Sequence, residues 1–148
     1  MLSEIYNRRI LELAANIPHL GRLSDPDASA TAHSRLCGST VTVDLKLDGN
    51  VVTAFAHDVK ACALGQASSA IMGRHVIGST AGELRQVREA ATRLLKADGE
   101  PPQGKWEELE VLEPLREYKA RHASILLTFD AVVDALNRIE AQRAGERE

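Results

Sequence analysis

The sequence contains few aromatic residues, which make up 3% of the chain. Proteins that bind single-stranded nucleic acid stack its bases on aromatic side chains, so a stacking platform of this kind is not expected here. An excess of positive charge is also missing, since 18 Lys and Arg residues stand against 21 Asp and Glu residues, for a formal net charge of −3. Because phosphate binding needs a clustered basic face, this charge balance argues against a nucleic-acid partner.

Long apolar runs are absent as well. No run approaches the roughly 20 residues that span a bilayer, and the N-terminal residues lack the apolar segment of a signal peptide. We therefore expect a cytoplasmic protein with no membrane partner. The chain has two cysteines, Cys37 and Cys62, and a single disulfide is not expected in a reducing compartment. Metal binding, redox chemistry and plain burial remain open for them.

What the sequence does contain is typical of one globular domain. The chain has 148 residues, of which 44% are hydrophobic and 26% charged, and a chain of this size and composition buries a real core. No internal repeat or long linker divides it. We expect a single domain over residues 1–142 and a frayed C-terminal tail over residues 143–148.

The secondary-structure pattern predicts an α+β fold. Apolar and polar residues alternate on both sides of Asp48-Gly49-Asn50, which predicts a β-hairpin over residues 40–59. We expect a small antiparallel sheet of three strands, the third from residues 27–36, with helices packed mainly on one face. Residues 16–33 are otherwise irregular, and their order without a metal is left open. Helical spacing predicts helices at residues 3–15, 61–76, 81–97, 106–118 and 124–141. Thr80 and Glu83 match a capping box at the start of the helix over residues 81–97, and the helix over residues 106–118 is expected to break or start near Pro114.

The hairpin brings the two cysteines to one place. Cys37 stands immediately before the first hairpin strand, and Cys62 follows the second strand. In an antiparallel hairpin, the start of the first strand lies beside the end of the second strand. We therefore expect the two thiols to lie near each other. Cys62 also stands at a predicted helix N-terminus, where unpaired N–H groups favour the thiolate. His122 joins this site if the start of the last helix reaches the same edge.

Several motifs in order resemble one family. Cys37-Gly38-Ser39, the hairpin, and Ala61-Cys62-Ala63 with the small-residue helix after it are followed by Arg121-His122-Ala123-Ser124 at the start of an apolar helix. This order resembles the IscU/NifU/SufU family of iron–sulfur scaffold proteins over about residues 3–140. The spacing is similar to the SufU-like branch, with the segment Glu83–Lys105 in the place of its extra helical segment.

The resemblance implies a ligand set with two departures. Ser39 stands where the family has an aspartate ligand, and Ser124 stands where it has a third cysteine. Serine hydroxyls are poor ligands for Zn²⁺ or iron, because they stay protonated near neutral pH. The resemblance therefore implies a site of Cys37, Cys62 and His122, with Ser39, Ser124 and Arg121 beside it as weak ligands or hydrogen-bonding neighbours.

The function implied is that of a scaffold or carrier in iron–sulfur cluster assembly. Such a protein holds a transient [2Fe–2S] cluster or Zn²⁺ and receives sulfur from a cysteine desulfurase, which carries out the C–S cleavage. The resemblance favours a non-enzymatic carrier and leaves open whether the protein is itself an enzyme. Its other partners are apo iron–sulfur proteins. Two alternatives are a zinc-dependent sulfurtransferase that accepts persulfide sulfur, and a metal-free adaptor of the same fold. The sequence leaves open the choice of iron or zinc, the particular partners and the oligomeric state.

Overall fold

The computed structural model describes residues 4–35 and 38–146 of the chain. Within these two ranges, four α-helices and three β-strands follow one another in an α+β order, and a stretch of 3-10 turns precedes the last helix. The elements are α1 (Glu4–Ala15), β1 (Ala28–His33), β2 (Thr40–Asp48), β3 (Val51–Lys60), α2 (Ala63–His75), α3 (Ala81–Lys96), two 3-10 helices (Gly104–Glu117 and Lys119–Arg121) and α4 (His122–Glu146).

The sheet is antiparallel throughout, in the order β1-β2-β3. The register pairs Ala28 with Leu45 at one end of β1, and Thr40 of β2 with Lys60 at the end of β3. Gly49 joins the hairpin strands with a φ of 63°, a conformation that glycine adopts without strain. The predicted fold class, with its three-stranded antiparallel sheet, is confirmed.

The helices cover one face of this sheet. Val41, Val43 and Leu45 alternate along β2 with polar residues, and all three are fully buried in the core. Helix α4 packs against β1 and β2, α2 packs against β3, and α1 and α3 pack against α2 and α4 respectively. The start of α4 is thereby fixed beside the end of the sheet where the hairpin strands begin and finish.

The irregular segment before β1 is held by specific contacts. The backbone of His19 and Gly21 pairs with His57 of β3, and Arg22 then reaches Asp44 of β2 on the face opposite the helices. Asp44 is fully buried. Because these contacts are made across long sequence separations, local periodicity gave no sign of them.

Element ends differ in detail from the sequence prediction. Thr80 caps α3 as predicted, because its side chain accepts a hydrogen bond from the Glu83 N–H. The fourth predicted helix, over residues 106–118, is instead a run of 3-10 turns; the backbone is kinked at Trp106, and Pro114 lies within the run. Residues 143–146, which belong to the tail that we expected to be frayed, lie at the end of α4; residues 147–148 lie outside the described part. No helix in that part is long and apolar enough to cross a membrane.

His57 is a buried histidine that makes stability depend on pH. Its Nε2 lies 2.8 Å from the Pro18 carbonyl oxygen and therefore donates to it, while its Nδ1 has no hydrogen-bond partner among the described residues. Burial lowers the pKa of His57; the Pro18 carbonyl opposes this effect, and the charge of His19 adds to it. The unfolded chain therefore binds a proton more readily than the folded chain. We expect the free energy of unfolding to fall as pH falls below about 6.5.

The variant His57→Gln keeps a side-chain donor for Pro18 but does not titrate. Urea unfolding at about pH 7.5 and about pH 5.5 is expected to show a smaller loss of stability on acidification than in the wild type. The control is His33→Gln, because His33 is exposed on β1. Equal losses in the wild type and His57→Gln would show that His57 does not cause the acid sensitivity.

Candidate metal centre

The candidate site lies where three element ends meet. Thr40 and Lys60 form the last pair of the hairpin, so Ser39 and Cys62 stand just beyond the same end of the sheet. Helix α4 begins at His122 and carries Ser124 in its first turn, against the start of α2. Cys62 thus lies at the end of the sheet where the sequence predicted it, and the start of the last helix lies at the same end.

Ser39, Cys62 and Ser124 form a continuous chain of contacts. The Cys62 Sγ lies 3.4 Å from the Ser124 Oγ, and the Ser124 hydroxyl donates to the Ser39 Oγ at 3.0 Å. Both serines are buried. Two ligands held about 2.1–2.3 Å from a tetrahedral ion lie roughly 3.4–3.8 Å apart. The distance from Cys62 to Ser124 therefore falls in the range for two ligands of one ion, whereas the distance between the two serines is that of an ordinary hydrogen bond.

Cys62 is the N-cap residue of α2, and its surroundings favour the thiolate. Burial raises the pKa of this thiol, but hydrogen bonds from Ser124 and from the backbone N–H groups of Gly65 and Leu64, together with the positive charge of Arg121, outweigh burial and lower the pKa. Because a hydroxyl can rotate, Ser124 can turn its proton from Ser39 toward an ionised sulfur. The serines therefore act on Cys62 as hydrogen-bond partners.

His122 is buried at the first position of α4. Its Nε2 lies 2.9 Å from the carbonyl oxygen of Arg116, so this nitrogen carries the proton and donates. A histidine that binds a metal through one ring nitrogen commonly donates from the other to a carbonyl or carboxylate. A metal ion at His122 can therefore be bound only through Nδ1.

The other predicted site residues are placed less completely. Cys37 lies outside the described residues, although Gly38 and Ser39 beside it in the chain are described. Arg121 is exposed at the end of the second 3-10 helix, and its charge acts on Cys62. In the described ranges, no three His, Cys, Asp or Glu side chains come together as a ligand group. Cys62 and His122 thus need Cys37 to complete a set of three.

The sequence predicted a backbone contribution to this site. The N–H groups of Gly65 and Leu64 are among the groups that lower the pKa of the Cys62 thiol, although neither side chain has chemistry of its own. A helix N-terminus was the available signal, because its first N–H groups have no partner within the helix.

These observations define a class of protein. It is a small α+β domain in which side chains from a loop and from two helix starts come together at one end of a three-stranded sheet. The chain belongs to the NifU-like N terminal domain family, whose pattern matches residues 5–123. The resemblance found in the sequence is thereby confirmed.

Individual relatives agree with this assignment. The crystal structure of a nitrogen-fixing NifU-like protein (N-terminal) from Brucella abortus is 60% identical to this chain and covers 93% of it and 95% of its own chain, with a TM-score of 0.90. The iron–sulfur cluster assembly scaffold protein IscU of Thermotoga maritima is 24% identical over 135 residues, which cover 91% of this chain and 94% of that protein.

A third similarity concerns the fold alone. The putative iron–sulfur cluster assembly scaffold protein for the SUF system from Fervidobacterium islandicum AW-1 has a TM-score of 0.81 at 21% identity, covering 91% of this chain and 96% of its own. The two proteins thus share the small α+β fold although only 21% of their residues are identical.

Proposed function

We propose that this protein is a scaffold or carrier of iron–sulfur cluster assembly that holds its cargo at Cys37, Cys62 and His122. The observation that carries the proposal is that Cys62, at the start of α2, meets the first turn of α4, which carries His122 and places the Ser124 Oγ 3.4 Å from the Cys62 Sγ. The similarity to IscU proteins, which are named as cluster assembly scaffolds, supports it. The cargo is a transient [2Fe–2S] cluster or Zn²⁺, and the setting is the cytoplasm.

The donor set suits transfer better than storage. Thiolate sulfur and imidazole nitrogen bind iron and zinc well, whereas the hydroxyls of Ser39 and Ser124 do not. Three protein ligands leave one position of a tetrahedral ion for water, a thiol or a ligand from a partner. A cysteine desulfurase as sulfur source and apo iron–sulfur proteins as acceptors are the partners that this function requires.

A second candidate function is zinc-dependent sulfur transfer, and the lowered pKa of Cys62 favours it. In this reaction the Cys62 thiolate attacks the outer sulfur of a donor persulfide. The donor's sulfur–sulfur bond breaks, a new one forms on Cys62, and the donor leaves as a thiolate that takes up a proton. A third candidate, a metal-free adaptor, rests on the two serines at ligand positions.

Desulfurase assays separate the three candidate functions. Sulfur transfer predicts that catalytic amounts of this protein stimulate a cysteine desulfurase, and that Cys37→Ser or Cys62→Ser removes the stimulation. Cluster carriage predicts bound iron and sulfide that pass to an apo-protein. An adaptor predicts that the double cysteine variant still binds its partner as tightly as the wild type.

The role of His122 as a ligand has its own test. Replacing it with alanine is expected to weaken Zn²⁺ binding by at least about 10–100-fold, the effect of losing even an outer-shell partner, while the fold is kept. Zn²⁺ titration with a competing chelator measures the affinity, and circular dichroism checks the fold.

His75→Ala is the matched control. His75 ends α2, a helix of 13 residues, so it lies roughly 20 Å along the helix from Cys62. Equal affinities in His122→Ala, His75→Ala and the wild type would remove His122 from the site.

A further inference from the structure

Gly65 lies in the first turn of α2 at the closest approach between α2 and α4. A Cβ atom built on this glycine would lie 2.8 Å from the Ser124 Oγ, 2.9 Å from the Ala61 Cβ and 3.2 Å from the Ser124 carbonyl oxygen. Real Cβ atoms essentially never approach other heavy atoms closer than 3.0 Å. The Ser124 side chain is fully buried and hydrogen-bonded to Ser39, so it has little freedom to move away.

A glycine at Gly65 makes the start of α2 less stable than an alanine would. Glycine loses more backbone freedom than alanine when a helix forms, so a glycine in this position calls for a packing explanation. Gly82, in the first turn of α3, has no atom within 4 Å of a built Cβ, so packing does not require glycine there. At Gly65, by contrast, any side chain would push the first turns of α2 and α4 apart.

We propose that Gly65 is a positioning residue for the metal centre, because its missing side chain sets the distance between Cys62 and Ser124. The inference rests on the proposed function for its consequence, which is cargo affinity, but the distance that it concerns exists without any cargo.

The first test measures affinity with Co²⁺, whose absorption spectrum reports the geometry of its ligands. Gly65→Ala is expected to weaken Co²⁺ binding at least about tenfold and to change the spectrum, as loss of outer-shell support does at other metal sites. The control Gly82→Ala is expected to leave affinity and spectrum unchanged and to raise the melting temperature. Unchanged affinity and spectrum in Gly65→Ala would overturn the inference.

The second test needs no metal. In a Cys37→Ser/Ser124→Cys background, Cys62 and the introduced thiol are neighbours, and oxidised glutathione is expected to join them in a disulfide. Adding Gly65→Ala is expected to slow this reaction at least about tenfold, because disulfide geometry tolerates little displacement, whereas adding Gly82→Ala is not. Equal rates would overturn the inference.

The two tests fail in different ways. If the wild-type protein binds no Co²⁺ but Gly65→Ala still slows the disulfide, the positioning role stands and the proposed function is wrong. If Gly65→Ala does not fold, Ala61→Gly/Gly65→Ala removes the contact with Ala61 and keeps the one with Ser124. That double variant is expected to show the same slower disulfide formation, and a rate equal to the parent would overturn the inference.

Discussion

The double variant Ser39→Asp/Ser124→Cys is expected to bind Zn²⁺ at least about 100-fold more tightly than the wild type. Direct ligands contribute at least as much as outer-shell partners, whose loss changes affinity by about 10–100-fold each. The substitutions put a carboxylate and a thiolate at positions that already lie 3.0 and 3.4 Å from their neighbours in the site. The distance from Cys62 to Ser124 already lies in the range for two ligands of a tetrahedral ion, and the substitutions supply the donor atoms that the serines lack.

Chelator-competition titration measures this gain, and Ser79→Cys is the matched control. Ser79 is a fully buried serine in the turn after α2, at the end of that helix away from Cys62, so its replacement adds a thiol without adding a ligand. The wild-type affinity is expected in the control. If the double variant also binds no more tightly than the wild type, the three side chains do not form the metal site that their spacing indicates.

The variant Asp44→Asn is expected to lose about 2 kcal/mol of folding free energy at neutral pH. Asp44 is buried in β2, where its carboxylate accepts from Arg22 Nε at 2.8 Å, Arg22 Nη2 at 3.0 Å, the Leu23 N–H at 2.9 Å and the Ser29 hydroxyl at 2.5 Å. Asparagine has an NH2 group in place of one carboxylate oxygen. This group would face the hydrogen-bond donors around position 44 and could not accept from them. The expected loss of folding free energy is no larger than this because Arg22 is half-exposed, and solvent screens its charge.

The pH dependence of this loss follows from the pKa of Asp44. Burial raises that pKa, but the hydrogen bonds from Arg22, Ser29 and Leu23 outweigh burial and lower it. The stabilisation is therefore fully present above the ordinary value of about 3.9 and is lost as pH falls through the lower folded value. The stability difference between wild type and Asp44→Asn should shrink in strong acid.

Urea unfolding at about pH 7 and about pH 3 measures both effects. Asp58→Asn is the control, since Asp58 is an exposed carboxylate of β3 on the same face of the sheet. If Asp44→Asn is as stable as Asp58→Asn at neutral pH, the contacts of Asp44 do not hold the segment before β1 to the sheet.

The sequence predicted those parts of the fold that local patterns encode. The alternation of Val41 and Val43 with polar residues and the turn at Gly49 determined the hairpin, and the hairpin alone determined that Cys62 and the residues before β2 meet. Capping by Thr80 was visible for the same reason, because the residues that form it are neighbours in sequence.

Contacts between distant residues could not be predicted in this way. The pairing of Arg22 with Asp44 and the clamp of His57 on Pro18 join positions separated by 22 and 39 residues. Two features of the site could not be predicted for the same reason. The hydrogen-bond partner of His122 is a backbone carbonyl, and Gly65 matters because there is no room for a side chain at its position. Such features are properties of packing, and a single sequence carries no periodic signal for them.

The most direct test of the account is the metal and acid-labile sulfide content of the wild-type protein and of Cys62→Ser, both purified without oxygen. The account predicts iron with matching sulfide in the wild type and its loss in Cys62→Ser. Near-stoichiometric zinc without sulfide, lost in the same variant, would keep the site and favour sulfur transfer. Folded protein that contains neither iron nor zinc, with both thiols reduced, would contradict the proposed metal site and favour the adaptor function.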